Sequence, residues 1–110
     1  MELSELGKKA NEIEDEIGLT IDDLLNKITQ EVGEFNDAVQ KYRGRYCKTR
    51  TENTEQIQIE VGDLFFNIIS TCSRLGINPN QLPQYAKNTL DKFYERRQLY
   101  VASLDQNKTQ

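Results

Sequence analysis

The sequence predicts an all-α fold, a four-helix bundle-type protomer that packs into a homo-oligomer. Three observations lead to this prediction. Apolar residues recur at spacings of three and four along most of the chain, no segment alternates like a half-buried strand, and glycine and proline separate the periodic segments. With 110 residues the chain has the length of one domain, which we assign to residues 1–104, with residues 105–110 as a polar tail.

A short stop-and-start signal separates the first two predicted helices. Gly18 ends the first helix, since glycine readily adopts the left-handed conformation that follows a helix C-terminus. Thr20 and Asp23 have the spacing of a capping box and begin the second helix, which should end near Arg43 and Gly44. The second helix carries one apolar stripe, formed by Ile21, Leu25, Ile28, Val32, Phe35 and Val39.

The third predicted helix, from about Thr54 to Leu75, has apolar residues on several faces. Its main stripe consists of Ile57, Val61, Leu64, Ile68, Cys72 and Leu75, with others off the stripe at Ile59, Phe66 and Ile69. A helix that is apolar nearly all round is usually buried on several sides, so we expect a subunit interface along it. Asn78 is the expected cap of a fourth helix and Pro79 its first residue. Pro83 should lie in the first turn, or else the helix begins after it. The inner stripe consists of Leu82, Ala86, Phe93, Tyr100 and Leu104.

The composition of the chain excludes several kinds of site and partner. Histidine is absent, which removes most zinc sites and favours a metal bound by oxygen, such as magnesium, manganese or calcium. The net charge of −4 argues against wholesale nucleic-acid binding. No apolar run could span a membrane, and no signal peptide is recognisable. Cys47 and Cys72 are far apart in sequence, which favours free thiols over a disulfide scaffold. We therefore expect a cytoplasmic protein with no membrane or nucleic-acid partner.

Two acidic motifs share one pattern. Glu31-x-x-Glu34 in the second helix and Glu60-x-x-Asp63 in the third both follow the pattern apolar-x-x-acid-Val-Gly-acid. Acids at i and i+3 project from the same side of a helix. At about 100° per residue, Asn67 joins Glu60 and Asp63 in a polar strip beside the apolar stripe. Glu31 flanks the apolar stripe of the second helix in the same way, whereas Glu34 lies further from that stripe around the helix axis.

Carboxylates beside a hydrophobic core indicate a metal site. Several of them close together repel one another, and burying each without a partner is costly. A divalent cation removes both difficulties, and Mg²⁺ prefers carboxylate oxygens completed by waters and substrate phosphates. The pattern alone leaves a solvated acidic face as the alternative. Gly33 and Gly62, one in each motif, favour the metal site, because a mid-helix glycine costs about 1 kcal/mol relative to alanine and we expect both to permit a close approach of helices.

Basic residues are concentrated between the motifs. Residues 41–50 hold five of the fourteen basic residues and no acid. They predict either a phosphate clamp, in which Arg45 and Lys48 act with Arg43 and Arg50, or a solubilising loop. The fourth helix is a second basic source, although most of its charges are expected to face solvent.

Several segments together match the pattern of a known family. They are Glu31-Val-Gly-Glu-Phe, Glu60-Val-Gly-Asp-Leu-Phe-Phe-Asn, the turn Leu75-Gly-Ile-Asn-Pro79 and Lys92-Phe93-x-x-Arg96-Arg97. Over about residues 20–100 the chain thereby resembles the MazG-like nucleoside triphosphate pyrophosphohydrolases of the all-α pyrophosphohydrolase superfamily. The resemblance implies Mg²⁺-dependent hydrolysis, with Mn²⁺ as a second metal, of a (deoxy)nucleoside triphosphate between its α and β phosphates, by a homodimer or homotetramer.

The resemblance also implies roles for individual residues. The metal would be held by Glu31, Glu34, Glu60 and Asp63, and Glu31 or Glu34 would orient or deprotonate the attacking water. Phosphate or sugar contacts would come from Asn67, Lys92 and Arg96. One departure is Leu90, where the family often has asparagine. Two alternatives stay open: a non-catalytic helical oligomerisation or adaptor module, and an inert nucleotide- or metal-binding relative.

Overall fold

A computed structural model describes residues 1–45 and 53–108 of the chain. These residues form four α-helices and no strand, which confirms the all-α prediction. The helices are α1 (Leu3–Ile17), α2 (Ile21–Tyr42), α3 (Glu55–Arg74) and α4 (Leu82–Lys108), and a short 3₁₀ turn, Pro79–Gln81, precedes α4. Among the described residues, no helix has both the length and the apolar character needed to cross a membrane.

The predicted helix ends are confirmed where the sequence carries a specific signal. Gly18 follows α1 in the left-handed conformation, with φ of 77°. The capping box forms in full: the Asp23 backbone N–H donates to Thr20 Oγ1 at 3.3 Å, and the Thr20 N–H donates to Asp23 Oδ2 at 2.8 Å. Gly76 after α3 also has a positive φ, of 78°. At the other end of the chain, α4 continues beyond Leu104 into the residues predicted as a tail.

The described helices divide into two compact units. Met1–Pro79 contains α1, α2 and α3, and Asn80–Gln110 contains α4. In the first unit α3 is the central helix, because it packs against both α1 and α2. In the described part of the chain, the hydrophobic core of this unit is small and contains Ala10, Leu24, Ala38 and Ile69.

A close approach between α1 and α3 depends on Gly7. A Cβ atom at this position would lie 2.8 Å from the Cβ of Ser73, closer than real side chains come. Gly33 and Gly62 do not have the role predicted for them, because a Cβ at either position meets no described atom within 4 Å. The prediction of a close approach beside the acids is therefore wrong within the first unit, and the close approach occurs at the α1–α3 contact instead.

Polar side chains complete the α1–α3 contact. Glu14 is buried on α1 and accepts a hydrogen bond from the Ser70 hydroxyl. It also forms an ion pair with Arg74 at 3.3 Å. Asn11 Nδ2 donates to Glu14 Oε1 and to the Ser70 carbonyl, both at 3.0 Å. Arg74 also pairs with Asp15 at 2.9 Å. These partners satisfy a carboxylate that would otherwise be costly to bury, and they fix the axial position of α1 on α3.

The predicted apolar stripes differ from the faces that the first unit buries. On α2, Leu24 is fully buried, whereas Leu25 and Val32 of the stripe are about half exposed. On α3, Ile69 was placed off the main stripe but is only 1% exposed, while Leu75 is 60% exposed. The physical reason is that α1 packs on the Ile69 side of α3. Apolar periodicity within α3 alone does not specify which face of α3 packs against α1.

The second unit is helical over nearly its whole described length. Apart from Leu82, which is half-buried, its large apolar side chains are exposed, including three of the predicted inner stripe, Phe93, Tyr100 and Leu104. The guanidinium carbon of Arg96 lies 5.9 Å from the centre of the Phe93 ring, a cation–π distance. On the same helix Lys87 pairs with Asp91 at 2.8 Å.

Candidate functional site

Three carboxylates of the two acidic motifs meet between α2 and α3. Glu31 and Glu34 on α2 and Glu60 on α3 each offer an oxygen, and these oxygens all lie within 4.8 Å of one another. The i, i+3 spacing directs the two α2 acids to one side of the helix, and α3 brings Glu60 to face them. Glu34, which helical geometry placed further from the core stripe than Glu31, belongs fully to this carboxylate cluster.

Two of the cluster's carboxylate oxygens are buried without a hydrogen-bond partner. They are Oε2 of Glu31 and Oε2 of Glu60. Glu60 is only 8% exposed, so water has little access to its side chain. A buried anionic oxygen without a donor is costly, and either a bound cation or a proton held between the acids removes this cost. The donor set, three carboxylates with no histidine or cysteine, fits a hard divalent cation.

The cluster perturbs the protonation of Glu31. Burial raises the pKa of Glu31 from 4.5 to about 7, together with the charge of Glu34 and a hydrogen bond with it, the charge of Asp63 and a hydrogen bond with Glu60. Each of these causes disfavours the charged form of a carboxyl group that has no compensating cation. A perturbed acid among further acids beside a cavity is typical of functional sites.

Two cavities open on either side of the cluster. The larger, of about 480 Å³, is lined by Lys27, Gln30, Glu31, Asp63, Phe66 and Asn67. The smaller, of about 270 Å³, is lined by Glu34, Asp37, Ala38, Lys41, Gln56 and Glu60. Rising residue numbers on α2 are thus matched by falling numbers on α3, so the two helices run antiparallel. The cluster separates a cavity that contains an aromatic ring and an asparagine from one that is almost entirely polar.

A comparison with known domain families relates the cluster and its cavities to a type of protein. The family model of the MazG nucleotide pyrophosphohydrolase domain matches residues 19–100. The chain belongs to this family. The match confirms the resemblance seen in the motifs, and it implies a hydrolase that acts on nucleotides. No curated protein and no solved structure matches the chain at a significant level.

Two further residues predicted for the site lie beside the carboxylate cluster of this MazG domain. Asp63 is exposed and stands outside the group of three, but it lines the larger cavity with Glu31 and contributes to the raised pKa of that residue. Asn67 lines the same cavity and is 7% exposed, and its Nδ2 donates to the Asp63 carbonyl at 2.9 Å. This bond fixes the orientation of the amide at the cavity wall.

The predicted basic contacts fall in three different parts of the chain. Arg45 is exposed just after α2, and Lys48 lies outside the described residues. Lys92 and Arg96 are exposed on α4, in the second unit. Their roles as substrate contacts therefore stay predictions.

Sequence reasoning missed several residues that line the cavities of the MazG domain, including Lys27, Gln30, Gln56 and Phe66. A signal for three of these four was present in the sequence. Lys27, Gln30 and Gln56 each stand four residues before an acid of the motifs, so they share its helix face. No such signal marked Phe66, which the apolar pattern placed off the main stripe of α3.

Proposed function

We propose that this chain hydrolyses a nucleoside or deoxynucleoside triphosphate to the monophosphate and pyrophosphate, in a Mg²⁺-dependent reaction at the carboxylate cluster. One observation carries the proposal: three carboxylates from two helices lie within 4.8 Å, and two of their buried oxygens have no described partner. A merely solvated acidic face would not bury Glu60. The family supports the nucleotide substrate, and the donor set supports the metal.

The four motif acids are the proposed metal ligands. Glu31, Glu34 and Glu60 would supply the buried side of the coordination shell, and Asp63 would complete it at the opening of the larger cavity. A bound Mg²⁺ or Mn²⁺ offsets the repulsion among the carboxylates, and it supplies Lewis-acid polarisation of a phosphoryl group.

The attacking water needs a proton acceptor, and we assign this role to Glu31 or to Glu34 beside it. A general base must lie within hydrogen-bonding reach of the water that it deprotonates. Glu31 lines the larger cavity, and Glu34 lies beside it in the cluster. Both side chains are anchored on α2, and helix-borne carboxylates keep their positions more closely than carboxylates on loops.

We assign binding of the triphosphate to the larger cavity. Lys27 supplies positive charge there, and Asn67 presents a fixed amide at the wall. Arg45, Lys48, Lys92 and Arg96 are proposed as further phosphate or sugar contacts. A triphosphate carries several negative charges, so basic groups are needed in addition to the metal.

We further propose that the active form is a homodimer or homotetramer. Apolar side chains stay about half exposed on both helices that carry the acids: Leu25, Val32, Val61, Phe65 and Phe66. Exposed apolar groups in this number are typical of surfaces that pack against another chain, and α4 exposes more of them.

An assay with matched variants tests the proposal. The protein is incubated with Mg²⁺ and each common ribo- and deoxyribonucleoside triphosphate, and pyrophosphate release is measured. Glu60→Gln should lower the turnover by about 100-fold or more, since it removes a buried ligand. Glu55→Gln, the same change at an exposed position of the same helix, should keep full activity. Absence of pyrophosphate with every substrate, together with no effect of Mg²⁺ on thermal unfolding, would instead support a non-catalytic helical module.

A further inference from the structure

Two glutamines each hold a carboxylate of the cluster from one helical turn away. Gln56 Nε2 donates to Glu60 Oε1 at 2.7 Å, and Gln30 Nε2 donates to Glu34 Oε1 at 3.0 Å. Both pairs have i, i+4 spacing, which brings the two side chains together on the helix surface. One donor therefore comes from α2 and one from α3, each directed at a different acid.

The Gln56 bond divides the two oxygens of Glu60 into separate roles. Oε1 is occupied by the amide, whereas Oε2 is buried and has no described partner. A carboxylate held at one oxygen can rotate less about its terminal torsion, which is otherwise broad. The second oxygen is therefore fixed in direction within the cluster before any cation arrives, and less conformational freedom is lost on binding.

The chemical type of the donor matters as much as its position. A lysine or arginine at either position would also reach the carboxylate, but its charge would compete with a divalent cation for the same oxygen. An amide donates a hydrogen bond while leaving the negative charge of the cluster intact. Lys41 lines the same small cavity as Gln56, yet the short bond to Glu60 is made by the neutral side chain.

From these contacts we infer that Gln56 is a positioning residue for the metal site, with Gln30 in the same role at Glu34. The inference rests on the proposed metal-dependent function and adds two residues outside the acidic motifs. Groups that hydrogen-bond to metal ligands set the ligand orientation, and their loss weakens metal binding by about 10- to 100-fold. Because the Gln56 side chain is largely exposed, we expect the lower end of this range.

Metal titration of the full chain tests the inference without any substrate. Mn²⁺ binding is measured by calorimetry for the wild type, Gln56→Met and Gln58→Met. Methionine keeps the length and helix propensity of glutamine but donates no hydrogen bond. Gln58 is the matched control, since it lies on the same helix and its Nε2 donates to Thr54 Oγ1 at 3.0 Å, away from the cluster. We expect the Mn²⁺ Kd to rise about 10-fold for Gln56→Met and to stay unchanged for Gln58→Met.

A second readout separates positioning from general damage to the fold. The Mg²⁺ concentration that gives the half-maximal rate should rise for Gln56→Met, while kcat at saturating Mg²⁺ returns to the wild-type value. Equal Mn²⁺ affinity of Gln56→Met and Gln58→Met would overturn the inference and leave the proposed function standing. A wild type that binds no Mn²⁺ overturns the metal site itself. If Gln56→Met unfolds without metal, Gln30→Met provides the same comparison at Glu34.

Discussion

The titration of Glu31 makes the stability of the metal-free protein depend on pH in a specified direction. The pKa of Glu31 is 4.5 when unfolded and about 7 in the folded cluster. Between these values the folded state retains a proton that the unfolded state has released. The free energy of unfolding therefore falls as the pH rises through this window, and the full loss is reached above pH 7.

The size of this effect follows from the pKa shift. A shift from 4.5 to about 7 corresponds to at most about 3–4 kcal/mol, of which about 2 kcal/mol falls above pH 5.5. Solvent in contact with this partly exposed side chain screens the interaction, so we expect about 1–2 kcal/mol. For a unit of this size, such a change lowers the melting temperature by about 5–10 °C.

Thermal unfolding in the presence of a chelator measures this effect at pH 5.5 and pH 8. The wild type should melt at the lower temperature at pH 8, and added Mg²⁺ should restore its stability more strongly at pH 8 than at pH 5.5, because the cation binds the deprotonated cluster. Glu31→Gln removes the titrating group and should lose most of this pH dependence. Glu12→Gln, at an exposed position of α1, should behave like the wild type. Equal pH dependence in Glu31→Gln would refute the assignment to this residue.

Two further predictions concern the larger cavity and the α1–α3 contact. Lys27→Ala should lower kcat/KM for the triphosphate by about 10-fold in steady-state kinetics, because one charged contact is lost. Lys8→Ala, at an exposed position of α1, should leave kcat/KM unchanged. Gly7→Ala should destabilise the protein by about 1–3 kcal/mol in urea unfolding, because its Cβ would clash with Ser73. Gly62→Ala should instead stabilise the protein by up to about 1 kcal/mol, since its Cβ meets no described atom. A stabilising Gly7→Ala or a destabilising Gly62→Ala would contradict the described packing.

Local signals in the sequence predicted the helix boundaries and the three acids that meet in the carboxylate cluster. Gly18 and the Thr20–Asp23 pair act within one helical turn, so their conformations depend little on the rest of the chain. The i, i+3 spacing likewise requires Glu31 and Glu34 to share a helix face. Two acidic helices in one small domain then meet if those faces pack together, as they do around Glu60.

Packing choices between helices could not be predicted in the same way. Leu24 and Leu25 are adjacent leucines on α2, yet only Leu24 is buried, because the neighbouring helix decides which face is covered. The spacing of four residues places Gln56 beside Glu60, but it does not show what the contact does. Other side chains of α3 make i, i+4 hydrogen bonds without any site nearby, such as Gln58 with Thr54. The burial of Glu60 is what gives the Gln56 contact its importance.

Product analysis tests the central claim most directly. The protein is incubated with Mg²⁺ and a triphosphate that it consumes, and the products are identified by phosphorus NMR. We predict nucleoside monophosphate and pyrophosphate in equal amounts, formed only when the divalent cation is present and lost in Glu60→Gln. Release of nucleoside diphosphate and inorganic phosphate, or a rate that is unchanged by a chelator, would contradict the proposed chemistry of the carboxylate cluster.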